Sequence, residues 1–312
     1  MLPFALPALY ALFVWWFSTG LIILLDNLPR RTFRWSMLAG TALLAVSLHR
    51  LGEGSADTTT AGAYAAFTYA VLVWGWHEMS FFMGYVTGPR RTASPPGSSG
   101  WLRFRHGVAA CLYHELAIVA TAAVIVAATW GAPNQVGTWT FMLLWGMRTS
   151  AKLNFFLGVL NLSEEFLPPH LAYLKGFLAR KPMNLLFPVS VTVGTVITAV
   201  LVQRATEPGL SEFQVAGLAF LVTMLALAVL EHWFLVLPLP FSQLWSWVLQ
   251  LRPGGKVRAA PAAPHDGECD DPAAASRPAY AARDGDGPRP AVRLEDIKRP
   301  PAFQPCTTTA AS

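Results

Sequence analysis

The chain has 312 residues, of which 54% are hydrophobic and only 13% charged, with a formal net charge of +5. Soluble domains carry about a quarter charged residues, so this composition excludes a water-soluble globular protein and points to an integral membrane one. Three dispersed cysteines (Cys111, Cys269, Cys306) exclude a disulfide framework and a Cys-x-x-Cys metal site.

A helix needs about 20 apolar residues to cross a hydrocarbon core of about 30 Å. In chain order the candidate spans are Pro3 to Leu25, Phe33 to Leu51, Ala61 to Val86, Gly107 to Trp130, Val136 to Leu160, Asn184 to Val202 and Glu212 to Leu237. The expected fold is therefore an all-α polytopic bundle of about seven transmembrane helices. The first span has no basic n-region and too long an apolar run for a secretory signal, so it is expected to stay in the protein. Leu239 to Leu251, with Trp245 and Trp247, is too short to span and reads as an interfacial helix. The Pro168-Pro169 pair is expected to end the fifth helix. Gly84-x-x-x-Gly88 is a weak close-packing motif at a helix end.

Basic residues alternate between loops. Arg30, Arg31 and Arg34 lie in the first loop, Arg90, Arg91, Arg103 and Arg105 in the third, and Lys175, Arg180 and Lys181 in the fifth. Arg252, Lys256 and Arg258 follow the last span. The positive-inside rule then puts the N-terminus in the periplasm and the C-terminus in the cytoplasm. Residues 1–251 form the helical domain. Residues 252–312 hold nine Lys/Arg against eight Asp/Glu with no helical or strand period, and they read as a disordered cytoplasmic tail. No internal repeat is present, and no Gly-rich phosphate loop, Walker motif or serine-nucleophile elbow. The lipid bilayer is the expected surrounding, and no nucleic-acid partner is expected.

Ionisable residues recur at one depth. The third span carries His77 and Glu78, the fourth His114 and Glu115, and the seventh Glu231 and His232. The fifth contributes Arg148, Lys152 and Asn154, followed by Asn161, Glu164, Glu165 and His170. At about 1.5 Å per residue these groups share a slab in the cytoplasmic half. A charge at the bilayer centre costs roughly 2.5–3.5 kcal/mol on insertion scales, so such groups turn inward and find partners. Asn154, Gly158, Asn161 and Glu165 would make a narrow polar stripe along a continued fifth helix.

Three readings of this layer stay open. The first is an ion-pair network in which Arg148, Lys152 and the histidines neutralise Glu78, Glu115 and Glu231. The second is a di-metal centre held by His77, Glu78, His114, Glu115, Glu231 and His232. Its adjacent His–Glu pairs diverge by about 100° on a helix, unlike the Glu-x-x-His spacing of di-iron bundles. The third is a tetrapyrrole ligated by a histidine beside small and aromatic residues. A retinal protein is excluded, because the seventh span has no lysine for a Schiff base.

The strings "WGWHEMSFFMGYVTGPRR", "LYHELAI", "KLNFFLGVLNLSEEFLPPHLAYL" and "MNLLFPVSV" resemble the photosynthetic complex assembly protein 2 (PuhE) family of purple bacteria, over about Leu2 to Phe241. The resemblance implies a multi-pass protein of the inner, intracytoplasmic photosynthetic membrane. It implies a role in assembling the reaction centre and core light-harvesting antenna. Partners would be their subunits and other assembly factors, and bacteriochlorophyll a ligand. It transfers no catalytic residues. The alternative that the polar layer keeps in view is a membrane-embedded metal-dependent oxygenase or hydrolase acting on a tetrapyrrole, quinone or isoprenoid.

Overall fold

A computed structural model describes residues 2–95, 97–162, 167–237 and 241–249. The chain divides into two units, residues 1–258 and 259–312, and all described residues lie in the first. The expected tail from residue 252 onward therefore lies outside the described residues, as do Glu164 and Glu165.

The described residues are all-helical. Seven long helices follow one another: α1 (Leu2–Asn27), α2 (Arg30–Glu53), α3 (Thr60–Phe82), α4 (Gly100–Ala128), α5 (Val136–Leu157), α6 (Leu186–Ala205) and α7 (Glu212–Phe234). A single turn, α8 (Ser246–Leu249), comes last. Their starts are set by local chemistry. The Thr59 hydroxyl accepts from the Gly62 N–H at 3.1 Å and caps α3. Ser211 and Gln214 exchange hydrogen bonds in a capping box at α7. Asn184 accepts from the Leu186 and Phe187 N–H groups at 2.8 and 3.1 Å and opens α6.

Helix α3 is the axis of the bundle, packing against α1, α2, α4, α5 and α7. Its Phe67 stacks on Phe220 of α7 with ring centroids 4.4 Å apart, and its Trp74 meets Phe141 of α5 edge-on. The long helices α1, α4 and α6 keep apolar side chains outside, among them Phe13, Leu116 and Val193. Such continuous exposed apolar faces suit lipid contact. Among the described residues, four helical stretches are long and apolar enough to cross a membrane: Pro3–Asn27, Gly100–Ala128, Leu186–Ala205 and Glu212–Phe234. This is consistent with a multi-pass membrane protein.

Two sequence expectations are corrected. Helix α5 stops at Leu157, well before the Pro168-Pro169 pair, because Gly158 adopts φ 119° and turns the chain out of the helix. Val159 then bridges Arg180 as two extended segments, with the Val159 N–H on Ala179 O and the Lys181 N–H on Val159 O. Asn154 and Asn161 therefore share no helical stripe. Gly84-x-x-x-Gly88 is not a helix-packing motif either: Gly84 has φ 81°, beyond the end of α3. Gly88 instead lets the α3–α4 loop lie on the backbone of α4, where a Cβ would stand 2.1 Å from Ala109 O. Near the last turn, Trp245 is buried and packs edge-on against Trp15 of α1. Its indole donates to Trp16 O, and the Trp16 indole donates to Leu244 O.

Candidate functional site

The 100° between adjacent helical residues decides how the layer is built. On α3, His77 turns into the core and Glu78 toward α5. On α4, His114 turns inward and Glu115 likewise faces α5. The structure thus sorts the pairs into a histidine side and a carboxylate side.

On the histidine side, His77 and His114 are completely buried, with ring centroids 6.2 Å apart at a steep angle. Trp76 and Phe141 pack on His77, and Phe81 packs on His114 at 4.7 Å. Neither ring nitrogen of either histidine has a hydrogen-bond partner among the described residues. Both rings act here as packing elements, at the cost of unpaired polar atoms. The place of His114 is held by the backbone: its N–H donates to Thr87 O at 2.9 Å, and the Arg90 N–H donates to Ala109 O. The loop that follows the third span is thereby laced onto the fourth.

On the carboxylate side, α5 supplies two cations one turn apart. Arg148 Nη2 lies 2.9 Å from Glu78 Oε2, and Lys152 Nζ lies 2.6 Å from Glu115 Oε1. Each cation also faces a ring, Arg148 that of Phe82 and Lys152 that of Phe81, both at 5.9 Å. Helix α5 therefore clips α3 with one charge and α4 with the other. Glu231 accepts from the Trp15 indole at 3.0 Å and lies within Coulombic range of Arg148 and Glu78.

The other described residues of the predicted set are held by hydrogen bonds to backbone and side-chain partners. His232 Nδ1 donates to Ala228 O at 2.8 Å, and Nε2 faces the Ser150 hydroxyl at 2.9 Å. Asn154 is buried and joins Ser150 O and the Ser190 hydroxyl, while Asn184 donates to its side chain at 3.0 Å. Asn161 caps the end of α7 through Phe234 O and Leu237 O. His170 caps α3, with Nε2 2.8 Å from Phe82 O. Burial holds the His170 pKa below the ordinary histidine range, so the ring is neutral at pH 7 and Nε2–H donates. Neither Asn161 nor His170 joins the histidine or carboxylate groups.

Asp26, in the last turn of α1, is not among the residues that the sequence singles out, since the first apolar run ends at Leu25. It lies within Coulombic range of Glu78, and its Oδ1 is buried without a partner among the described residues. A carboxylate in the last turn opposes the helix dipole, and that was the available signal. Asp26, Glu78, Arg148, Lys152 and Glu231 all line one cavity of about 500 Å³ between α1, α3, α4, α5 and α7.

Neither cofactor reading fits these groups. No three His, Cys, Asp or Glu side chains gather as metal ligands would among the described residues. The di-metal set His77, Glu78, His114, Glu115, Glu231 and His232 is dispersed, because its glutamates hold cations or an indole and His232 is hydrogen-bonded through both nitrogens. A bacteriochlorophyll would need an open face on a histidine. His77 and His114 are enclosed by rings and do not line the cavity, and His232, which does line it, is hydrogen-bonded through both nitrogens.

Fold and site together define a helical bundle of membrane type whose inner charges are mostly paired across α3, α4 and α5. The chain belongs to the family described as "Protein of unknown function (DUF3623)", whose model matches residues 1–255. It is 40% identical over 248 residues to the "Uncharacterized 30.4 kDa protein in puhA 5'region" of Rhodobacter capsulatus, covering 78% of this chain and 90% of that protein. No solved structure matches the chain.

Proposed function

We propose that this chain is a seven-span integral membrane factor of the photosynthetic inner membrane that acts in assembling the reaction centre and its core antenna. Its N-terminus is periplasmic and its C-terminus cytoplasmic in this reading. The observation that carries it is the 40% identity to a protein placed by its name in the puhA 5' region. The likeness of the "WGWHEMSFFMGYVTGPRR" and "KLNFFLGVLNLSEEFLPPHLAYL" strings to the PuhE family points the same way. The geometry supports binding over catalysis: Arg148 and Lys152 are committed to Glu78 and Glu115, which makes α5 a brace for α3 and α4. The apolar outer faces of α4 and α6 are then the surfaces on which nascent membrane subunits would dock. The test is deletion of the gene in its host, with reaction-centre and core-antenna absorbance measured in isolated membranes. Both complexes should fall while transcripts of their subunits hold steady. Unchanged complex levels through several generations of phototrophic growth would overturn the proposal.

A further inference from the structure

The cavity of about 500 Å³ lies within the roughly 300–1,000 Å³ range of small-molecule sites. Most of its wall is apolar, with Trp74, Phe104 and Phe156 among the aromatic side chains. Its polar patch is unbalanced. Asp26, Glu78 and Glu231 supply three carboxylates, while Arg148 is paired with Glu78 and Lys152 with Glu115. Two carboxylates, those of Asp26 and Glu231, therefore remain on the wall with no cation at ion-pair distance among the described residues. Glu231 has the Trp15 indole, and Asp26 has an oxygen with no hydrogen-bond partner among the described residues. A phosphate or carboxylate head supplies acceptors only, and it would add negative charge to a patch that already holds more acid groups than cations, which is costly away from water. A head that donates hydrogen bonds or carries positive charge would complete it.

We propose that the cavity binds an amphipathic lipophile, an apolar chain ending in an amine or a hydroxyl, with its head against Asp26 and Glu231 and its chain among the aromatic side chains. The inference stands on the cavity alone and is independent of the assembly role.

The test uses the full-length protein purified in a glycoside detergent and a 1-dodecanol analogue carrying a diazirine in its chain. Adducts are mapped by mass spectrometry after illumination. Labelling at Trp74 and Phe104 should saturate and be competed by dodecylamine about tenfold better than by dodecanoate, the ratio of one charge-assisted contact. Replacing both acids (Asp26→Asn with Glu231→Gln) should abolish that preference while 1-dodecanol still labels the cavity, showing that the bundle has folded. If the double variant fails to elute as a folded species, Asp26→Asn alone should show a reduced preference. Labelling that never saturates, or that falls only on outward positions such as Val193 and Val200, overturns the proposal. Equal competition by dodecanoate, or a preference that survives loss of both acids, does the same.

Discussion

Glu78 and Arg148 are paired at 2.9 Å, but the two side chains are unequally covered, 12% exposed for the glutamate and 33% for the arginine. Arg148→Met keeps the aliphatic stem and strands the glutamate in the more enclosed position, where its second oxygen has no partner among the described residues. Removing one member of a buried pair costs about 3–5 kcal/mol, and the full range applies to this variant. Glu78→Gln leaves the guanidinium with partial access to solvent, the ring of Phe82 and the nearby carboxyl group of Glu231. After discounting for that screening, its cost should be about 1–2 kcal/mol. The double variant should be more stable than the sum of the two by about 1–3 kcal/mol, since no uncompensated charge remains. Unfolding in mixed micelles by titrated sodium dodecyl sulfate, with protein abundance in membranes alongside, measures all four members of the cycle. Additivity within about 0.5 kcal/mol, or a larger cost for Glu78→Gln than for Arg148→Met, would refute the reasoning.

Gly88→Ala should destabilise the bundle by about 2–3 kcal/mol, since the added Cβ meets the backbone of Ala109 and Ala110 and displaces the loop bonds to α4. An unchanged melting midpoint in detergent would show that the loop yields freely. His170 has a folded pKa below its ordinary 6.5, so as pH falls through that value the unfolded chain takes up a proton first and stability declines. His170→Gln keeps an N–H donor for Phe82 O and should flatten the stability profile as pH falls below about 6.5, and an identical slope in both proteins would exclude the assignment. A reporter fused after Leu251 should be active in the cytoplasm, and one inserted near Thr58 should report the periplasm. The reverse pattern would invert the orientation proposed for the whole chain.

Each of the seven candidate runs in the sequence corresponds to one long helix in the structure, and four helices among the described residues are long and apolar enough to cross a membrane. The presence of a polar layer was also legible: ionisable residues inside apolar runs are too costly to be random. Their partners were not legible. Adjacent residues such as His77 and Glu78 diverge around the helix, and only the packing of α3 against α4 and α5 decides which finds a ring and which a cation. The end of α5 was misplaced because a proline pair is a visible helix stop, while Gly158 breaks the helix only through the φ 119° that the Val159–Arg180 bridge demands. Asp26 was passed over because sequence places it at a span's end, and the arrival of α3 beside it is a tertiary fact. Periodicity and hydropathy are properties of a single segment, so sequence determined the helices and the cost of their charges. Pairing, capping and the cavity are properties of segments far apart in the chain, and only their packing could decide them.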